Sequence, residues 1–190
     1  MVNLLATANG VSYLDANGSV QTANSVTEVE SSTIAWSTGW YVVKGDVTIG
    51  SRVTVSGEVH LILADNASLT VNDGINVAEG NSFSVYAQSA GENMGALTAT
   101  GGSLAAGIGG GSRGSGGNIT ISGGSVTATG GGNAAGIGSG KDSRSGGTIT
   151  IHGGTVKATG GSFAAGIGGG NSSSSGTITI HGGEVTAKGS

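Results

Sequence analysis

The chain has 190 residues, 41 of them glycine, with no proline and no cysteine, and a formal net charge of −4. Absent cysteine excludes disulfides and thiolate metal centres, and the acidic balance provides no overall basic field to attract nucleic acid. No apolar run approaches the ~18 residues of a membrane span, and Met1-Val2-Asn3-Leu4-Leu5 opens without a basic segment or long apolar run, so no signal peptide is expected.

Residues 1–39 read as an N-terminal cap. Ser12-Tyr13-Leu14-Asp15 and Ser19-Val20-Gln21 flank Ala16-Asn17-Gly18, the pattern of a β-hairpin. Trp36 and Trp40 follow. From residue 40 to 190 the chain repeats. Ala-Ala-Gly-Ile-Gly stands at Ala105–Gly109, Ala134–Gly138 and Ala164–Gly168. Each copy is followed by a loop, then Ile-Thr-Ile, Gly-Gly and a Val-x-Ala segment. Glycine-rich segments that lack apolar periodicity are disordered. This periodicity at about thirty residues predicts a wound β-solenoid instead.

Alternation divides the repeat into three short strands with inward apolar residues. The first-strand inward pairs are Tyr41/Val43, Leu61/Leu63, Phe83/Val85, Ile119/Ile121, Ile149/Ile151 and Ile178/Ile180. The second-strand pairs are Val47/Ile49, Leu69/Val71, Leu97/Ala99, Val126/Ala128, Val156/Ala158 and Val185/Ala187. The third-strand pairs are Val53/Val55, Ile75/Val77, Ala106/Ile108, Ala135/Ile137 and Ala165/Ile167. The expected fold is therefore all-β: one parallel β-helix of about six coils, wound right-handed by the rule for parallel crossovers. The sixth coil stops after its second strand, which predicts either a longer chain or end-to-end packing of this coil on another copy.

The Tyr13–Gly18 segment, Gly39-Trp40-Tyr41-Val42-Val43, Val59–Asp65 and the Ala-Ala-Gly-Ile-Gly-Gly-Gly repeats resemble large surface-exposed repeat proteins of gut Gram-positive bacteria. That resemblance implies an extracellular or wall-attached β-helix, adhesin-like and often labelled carbohydrate-binding, with glycans or host surface ligands as partners. It carries over no catalytic motif.

The residues themselves give few chemical signals. The carboxylates Asp46, Glu58, Asp65, Asp73 and Glu79 fall at turns, so they form no column for glycoside chemistry. His152 and His181 share an outward column, yet a metal centre needs three or four ligands. Gly138–Ser143 lacks the spacing and following helix of a phosphate loop. The outward threonines Thr48, Thr70, Thr98, Thr127 and Thr186 resemble an ice-binding array, broken by Lys157. Threonine also suits any exposed strand. No enzyme activity, cofactor or metal is expected.

The variable segments are the loops Gly109–Gly117, Gly138–Gly147 and Gly168–Gly176. Variable loops on a rigid scaffold are where binding concentrates. The candidate ligand-binding residues are therefore Arg113, Lys141, Asp142 and Arg144 on these loops, with Trp36, Trp40 and Phe163 as aromatics able to stack on sugar rings. The leading expectation is a non-enzymatic structural or adhesive module. A carbohydrate-binding module is the alternative; a polysaccharide-active enzyme and an ice-binding protein stand behind both.

Overall fold

The computed structural model describes residues 7–8 and 10–190; the opening Met1–Leu5 segment lies outside the described residues. The first elements are β1 (Thr7–Ala8), the hairpin strands β2 (Val11–Leu14) and β3 (Val20–Ala23), and β4 (Val26–Glu28). The early coils contain β5 (Ala35–Val43), β6 (Asp46–Ile49), β7 (Val53–Leu63), β8 (Ser68–Val71) and β9 (Ile75–Asn76). Next come β10 (Ser82–Ala87), β11 (Ala96–Thr100), β12 (Ile108–Gly109), β13 (Asn118–Ile121), β14 (Ser125–Thr129) and β15 (Ile137–Gly138). The last elements are β16 (Thr148–Ile151), β17 (Thr155–Thr159), β18 (Ile167–Gly168), β19 (Thr177–Ile180) and β20 (Glu184–Lys188). Among the described residues no helix is long and apolar enough to cross a membrane.

The strands stack into a parallel β-helix of six coils. The six second strands form one sheet in the order β20-β17-β14-β11-β8-β6, and their register places Val47, Leu69, Leu97, Val126, Val156 and Val185 in a single column, as expected. First and third strands share the larger, twelve-stranded sheet, because β5 and β7 each run through both positions without a break. A bulge at Ser37/Gly39 bends this long strand where later coils insert a loop. Three separate strands per coil therefore describe only the later coils.

Two columns are shifted from the sequence-based frame. Phe83 pairs with Val59 and Val85 with Leu61, whereas the expected partners were Leu61 and Leu63. Ile108 likewise pairs with Ile75, not with Val77. Both shifts are two residues, so every side chain keeps its face while changing its neighbour. Burial patterns alone cannot detect such a slip, and the inward residues of both frames are indeed buried. The exceptions are Ile178, Ile180 and Ala187 of the last coil, which are exposed, and Val47, Ala165 and Val185, which are half-buried.

The third strand is also shorter than Ala-Gly-Ile. Only Ile137–Gly138 and its equivalents are extended. Gly109, Gly138 and Gly168 share φ near +130° (133°, 136° and 128°), and a Cβ on Gly138 would collide with the Gly168 carbonyl of the next coil. Glycine recurs here because two backbones touch.

The solenoid begins before residue 40. Ala35–Ser37 already pair in parallel with Thr54–Ser56, and Val26–Glu28 with Trp40–Val42. Val29, Thr33 and Trp36 fill the N-terminal end of the bore, where Trp36 packs 5.6 Å from Tyr41 and 5.8 Å from Phe83. The hairpin forms as expected, with Leu14 opposite Val20, but it lies against the outside of the first-strand sheet rather than over the open end. Val11 and Ala23 bury there against Val26, Val42 and Ile62. The physical reason is visible in Tyr41-Val42-Val43 and Leu61-Ile62-Leu63: an unbroken apolar run needs cover on both faces.

Candidate functional site

Arg52 was not anticipated as a structural residue. It sits in the turn before β7, and its guanidinium donates to the carbonyls of Asp73 (2.9 Å), Ala106 (3.3 Å) and Gly109 (3.1 Å), one coil and two coils away. Burial pulls its pKa below the usual value, against the favourable field of the Asp73 carboxylate. Arg52 is a clamp across the coils, with three of its five N–H donors engaged by backbone carbonyls.

Two surface regions concentrate the remaining functional groups. The first is the outer face of the first-strand sheet beneath the hairpin. Strand register brings Trp40 beside His60, and the two rings stack at 4.4 Å with a 19° interplanar angle. Tyr13 of the hairpin lies 4.7 Å from Trp40 and 4.8 Å from Tyr86. The Tyr86 hydroxyl is 3.4 Å from His60 Nδ1, and Glu58 Oε1 is 3.4 Å from His60 Nε2. Burial pushes the Tyr86 phenol above its ordinary pKa, so it is a neutral hydrogen-bonding group at pH 7. Glu58 projects into solvent. This patch offers ring edges, a carboxylate and an imidazole, while much of the ring surface is spent on holding the hairpin.

The aromatic candidates separate here. Trp36 belongs to the core: it is 1% exposed and its indole N–H donates to the Thr33 carbonyl. A side chain so enclosed has no face for a ligand, which removes Trp36 from the candidate surface. Trp40 is half-buried in the patch, and Phe163 is 76% exposed at the opposite part of the coil. Tyr13, His60 and Glu58 were missed. Their signal is weak in sequence, since only strand register and hairpin docking bring them together.

The second region is the loop edge. The third strand is so short that the turn before it and the loop after it meet between neighbouring coils. Lys141 N–H donates to the Leu104 carbonyl (3.1 Å), and Asn171 N–H to the Asn133 carbonyl (2.8 Å). The loops also bond to each other: Arg113 N–H to the Lys141 carbonyl (2.7 Å) and Asp142 N–H to the Asn171 carbonyl (3.0 Å). Ser143 Oγ donates to the carbonyls of Gly114 and Gly140 beneath them. The equivalent residues Arg113, Asp142 and Ser172 all hold left-handed φ angles of 59°, 56° and 55°. The loops are therefore an ordered ladder that displays Arg113, Asp142 and Arg144 to solvent, with Lys141 half-buried and 3.5 Å from Asp142. Four of the expected binding residues, Arg113, Lys141, Asp142 and Arg144, thus lie on one edge, and Phe163 occupies the turn that borders it.

His152 and His181 stack at 4.8 Å with rings 8° from parallel. Among the described residues no group of three His, Asp or Glu side chains is placed to hold a metal ion.

Parallel register, a continuous interior and stacked loops define the class: a β-helix solenoid scaffold. A family model described as a beta helix repeat matches residues 93–112, 119–141, 149–171 and 178–190. No curated protein and no solved structure matches the chain.

Proposed function

We propose that the chain is a non-enzymatic module of a cell-surface or secreted bacterial protein, which presents binding loops from a stiff β-helical rod. The observation that supports this most is the loop ladder: hydrogen bonds between neighbouring coils fix the variable loops, while the core beneath them is uniform. The carboxylates fit structural roles. Asp15 accepts the turn amides of Asn17 and Ser19, Asp46 and Asp65 accept serine hydroxyls of adjacent segments, and Glu28 pairs with Lys44. These partners favour a scaffold over acid–base catalysis.

A second reading, carbohydrate binding, is favoured by the exposed Phe163 ring beside polar loops. A glycan array tests both. Binding to a defined glycan that is lost in Phe163→Ser would favour a carbohydrate-binding module. No binding to any glycan, with retained thermal stability, would favour the spacer role. Turnover of a polysaccharide that disappears in Asp65→Asn would overturn the non-enzymatic reading.

A further inference from the structure

The charges are unevenly distributed along the rod. Nine of the 11 acidic residues lie at or before Glu92, whereas five of the seven basic residues lie after it. The later coils are therefore net positive within a chain that is net negative. Three of those five cations, Arg113, Lys141 and Arg144, stand on the loop edge. Arg113 and Arg144 have no carboxylate within ion-pair distance among the described residues, while Lys141 faces Asp142 at 3.5 Å.

The backbone geometry turns these cations into a ridge. Arg113 and Lys141 occupy adjacent coils, joined by the 2.7 Å hydrogen bond between their loops. Neighbouring parallel strands are about 4.8 Å apart, close to the length of one pyranose unit in an extended polysaccharide. Beside the ridge runs a second row, Leu104, Asn133 and Phe163, held against it by the Lys141–Leu104 and Asn171–Asn133 hydrogen bonds. Phe163 is 76% exposed; it is the last member of the row, and no following loop lies over it among the described residues as Lys141 and Asn171 lie over Leu104 and Asn133. Its left-handed backbone, φ 56°, is an unfavourable conformation for a bulky residue. Phe163 shares this edge with the Arg113 and Arg144 loops, and an edge that combines an exposed aromatic face with cations suits a sugar that carries negative charge.

We propose that this loop edge binds a linear acidic polysaccharide, carboxylated or sulfated, lying parallel to the rod axis, with Arg113 and Arg144 on its anionic groups and Phe163 stacked on a ring. The proposal rests on the carbohydrate-binding reading and adds the ligand's charge and direction. Single-stranded nucleic acid is a poorer fit, because it is held by successive stacking aromatics and the row beside the ridge carries one, Phe163, next to Leu104 and Asn133.

The test is binding of the full chain to polygalacturonate, heparin, neutral dextran and an oligodeoxythymidylate at several salt concentrations. The expected result is binding to one or both acidic polysaccharides, weakening linearly in log affinity against log salt. Arg113→Gln with Arg144→Gln should lose at least tenfold in affinity and Phe163→Ser severalfold, while Lys44→Gln in the acidic coils binds like the wild type. Polygalacturonate against heparin separates carboxylated from sulfated ligands. Dextran bound as tightly as the acidic polymers, with no effect of the arginine pair, would sink this inference and leave carbohydrate binding standing. Failure to bind any polysaccharide would remove both. Equal affinity for the oligonucleotide would assign the ridge to nucleic acid. Circular dichroism of each variant confirms that a loss of binding is not a loss of fold.

Discussion

Replacing Arg52 by methionine should destabilise three coils at once. Methionine keeps an apolar stem in the same space but removes every donor. The Gly109 carbonyl retains a second partner, the Val77 N–H at 2.9 Å. The carbonyls of Asp73 and Ala106 lose their side-chain donor, and no other donor reaches them among the turn and loop hydrogen bonds of the described residues. A buried acceptor left without a partner costs about 1–3 kcal/mol. Arg52 is only half-buried, so water can partly replace it, and relief of the guanidinium's desolvation offsets some of the loss. The expected net effect is about 2–4 kcal/mol. For a chain of this size that corresponds to a fall in Tm of roughly 4–16 °C. R52K, a single cationic centre without the planar fork, should fall between the two. Thermal denaturation followed by circular dichroism measures all three proteins. A Tm for Arg52→Met within about 2 °C of the wild type would refute the clamp, because that loss is below the lower bound set by the unpaired carbonyls.

Gly138→Ala, at a buried position between coils, should be among the most damaging changes, about 3 kcal/mol or more, because the added Cβ meets a backbone carbonyl that cannot rotate away; a urea midpoint close to wild type would contradict the contact. Arg113→Gly should act in the opposite direction on stability, raising it by about 0.5–1 kcal/mol as left-handed strain is relieved, while weakening any acidic glycan bound at the ridge. Hydrogen bonds from Ser19, then Gln21 and Asn17, hold the Asp15 carboxyl below its usual pKa. Its stabilising contribution is therefore present above the unfolded value of ~3.9 and is lost as pH falls through the lower folded value. Asp15→Asn should flatten the acid side of the stability–pH curve; an unchanged slope in urea titrations between pH 5 and 2 (about the working range for these groups) would argue against those turn contacts.

The class of fold was legible in particular residues. Ile119-Thr120-Ile121 and Val126-Thr127-Ala128 carry a two-residue period that assigns their faces without any tertiary information, and the Asn17-Gly18 turn declares the hairpin. The same periodicity could not choose between Leu61 and Val59 as the neighbour of Phe83, since both point inward. That choice belongs to the stacked coils, whose hydrogen-bond ladder fixes one register. The candidate site divides in the same way. Arg113, Lys141, Asp142 and Arg144 were identifiable as loop residues because repeats make insertions visible. Trp36 and Trp40, four residues apart, take opposite faces, the core and the half-buried outer patch, because a bulge separates the third-strand and first-strand segments of β5.

By itself the sequence determined that the chain winds into a repeating parallel β-helix and which side chains face its interior, because strand alternation and glycine spacing are local properties. Only the tertiary structure decided that the hairpin covers an outer sheet face, that Arg52 clamps three coils, and that the loop cations form one ridge. Each of these depends on which coil lies against which, and that is set by packing between segments distant in the chain.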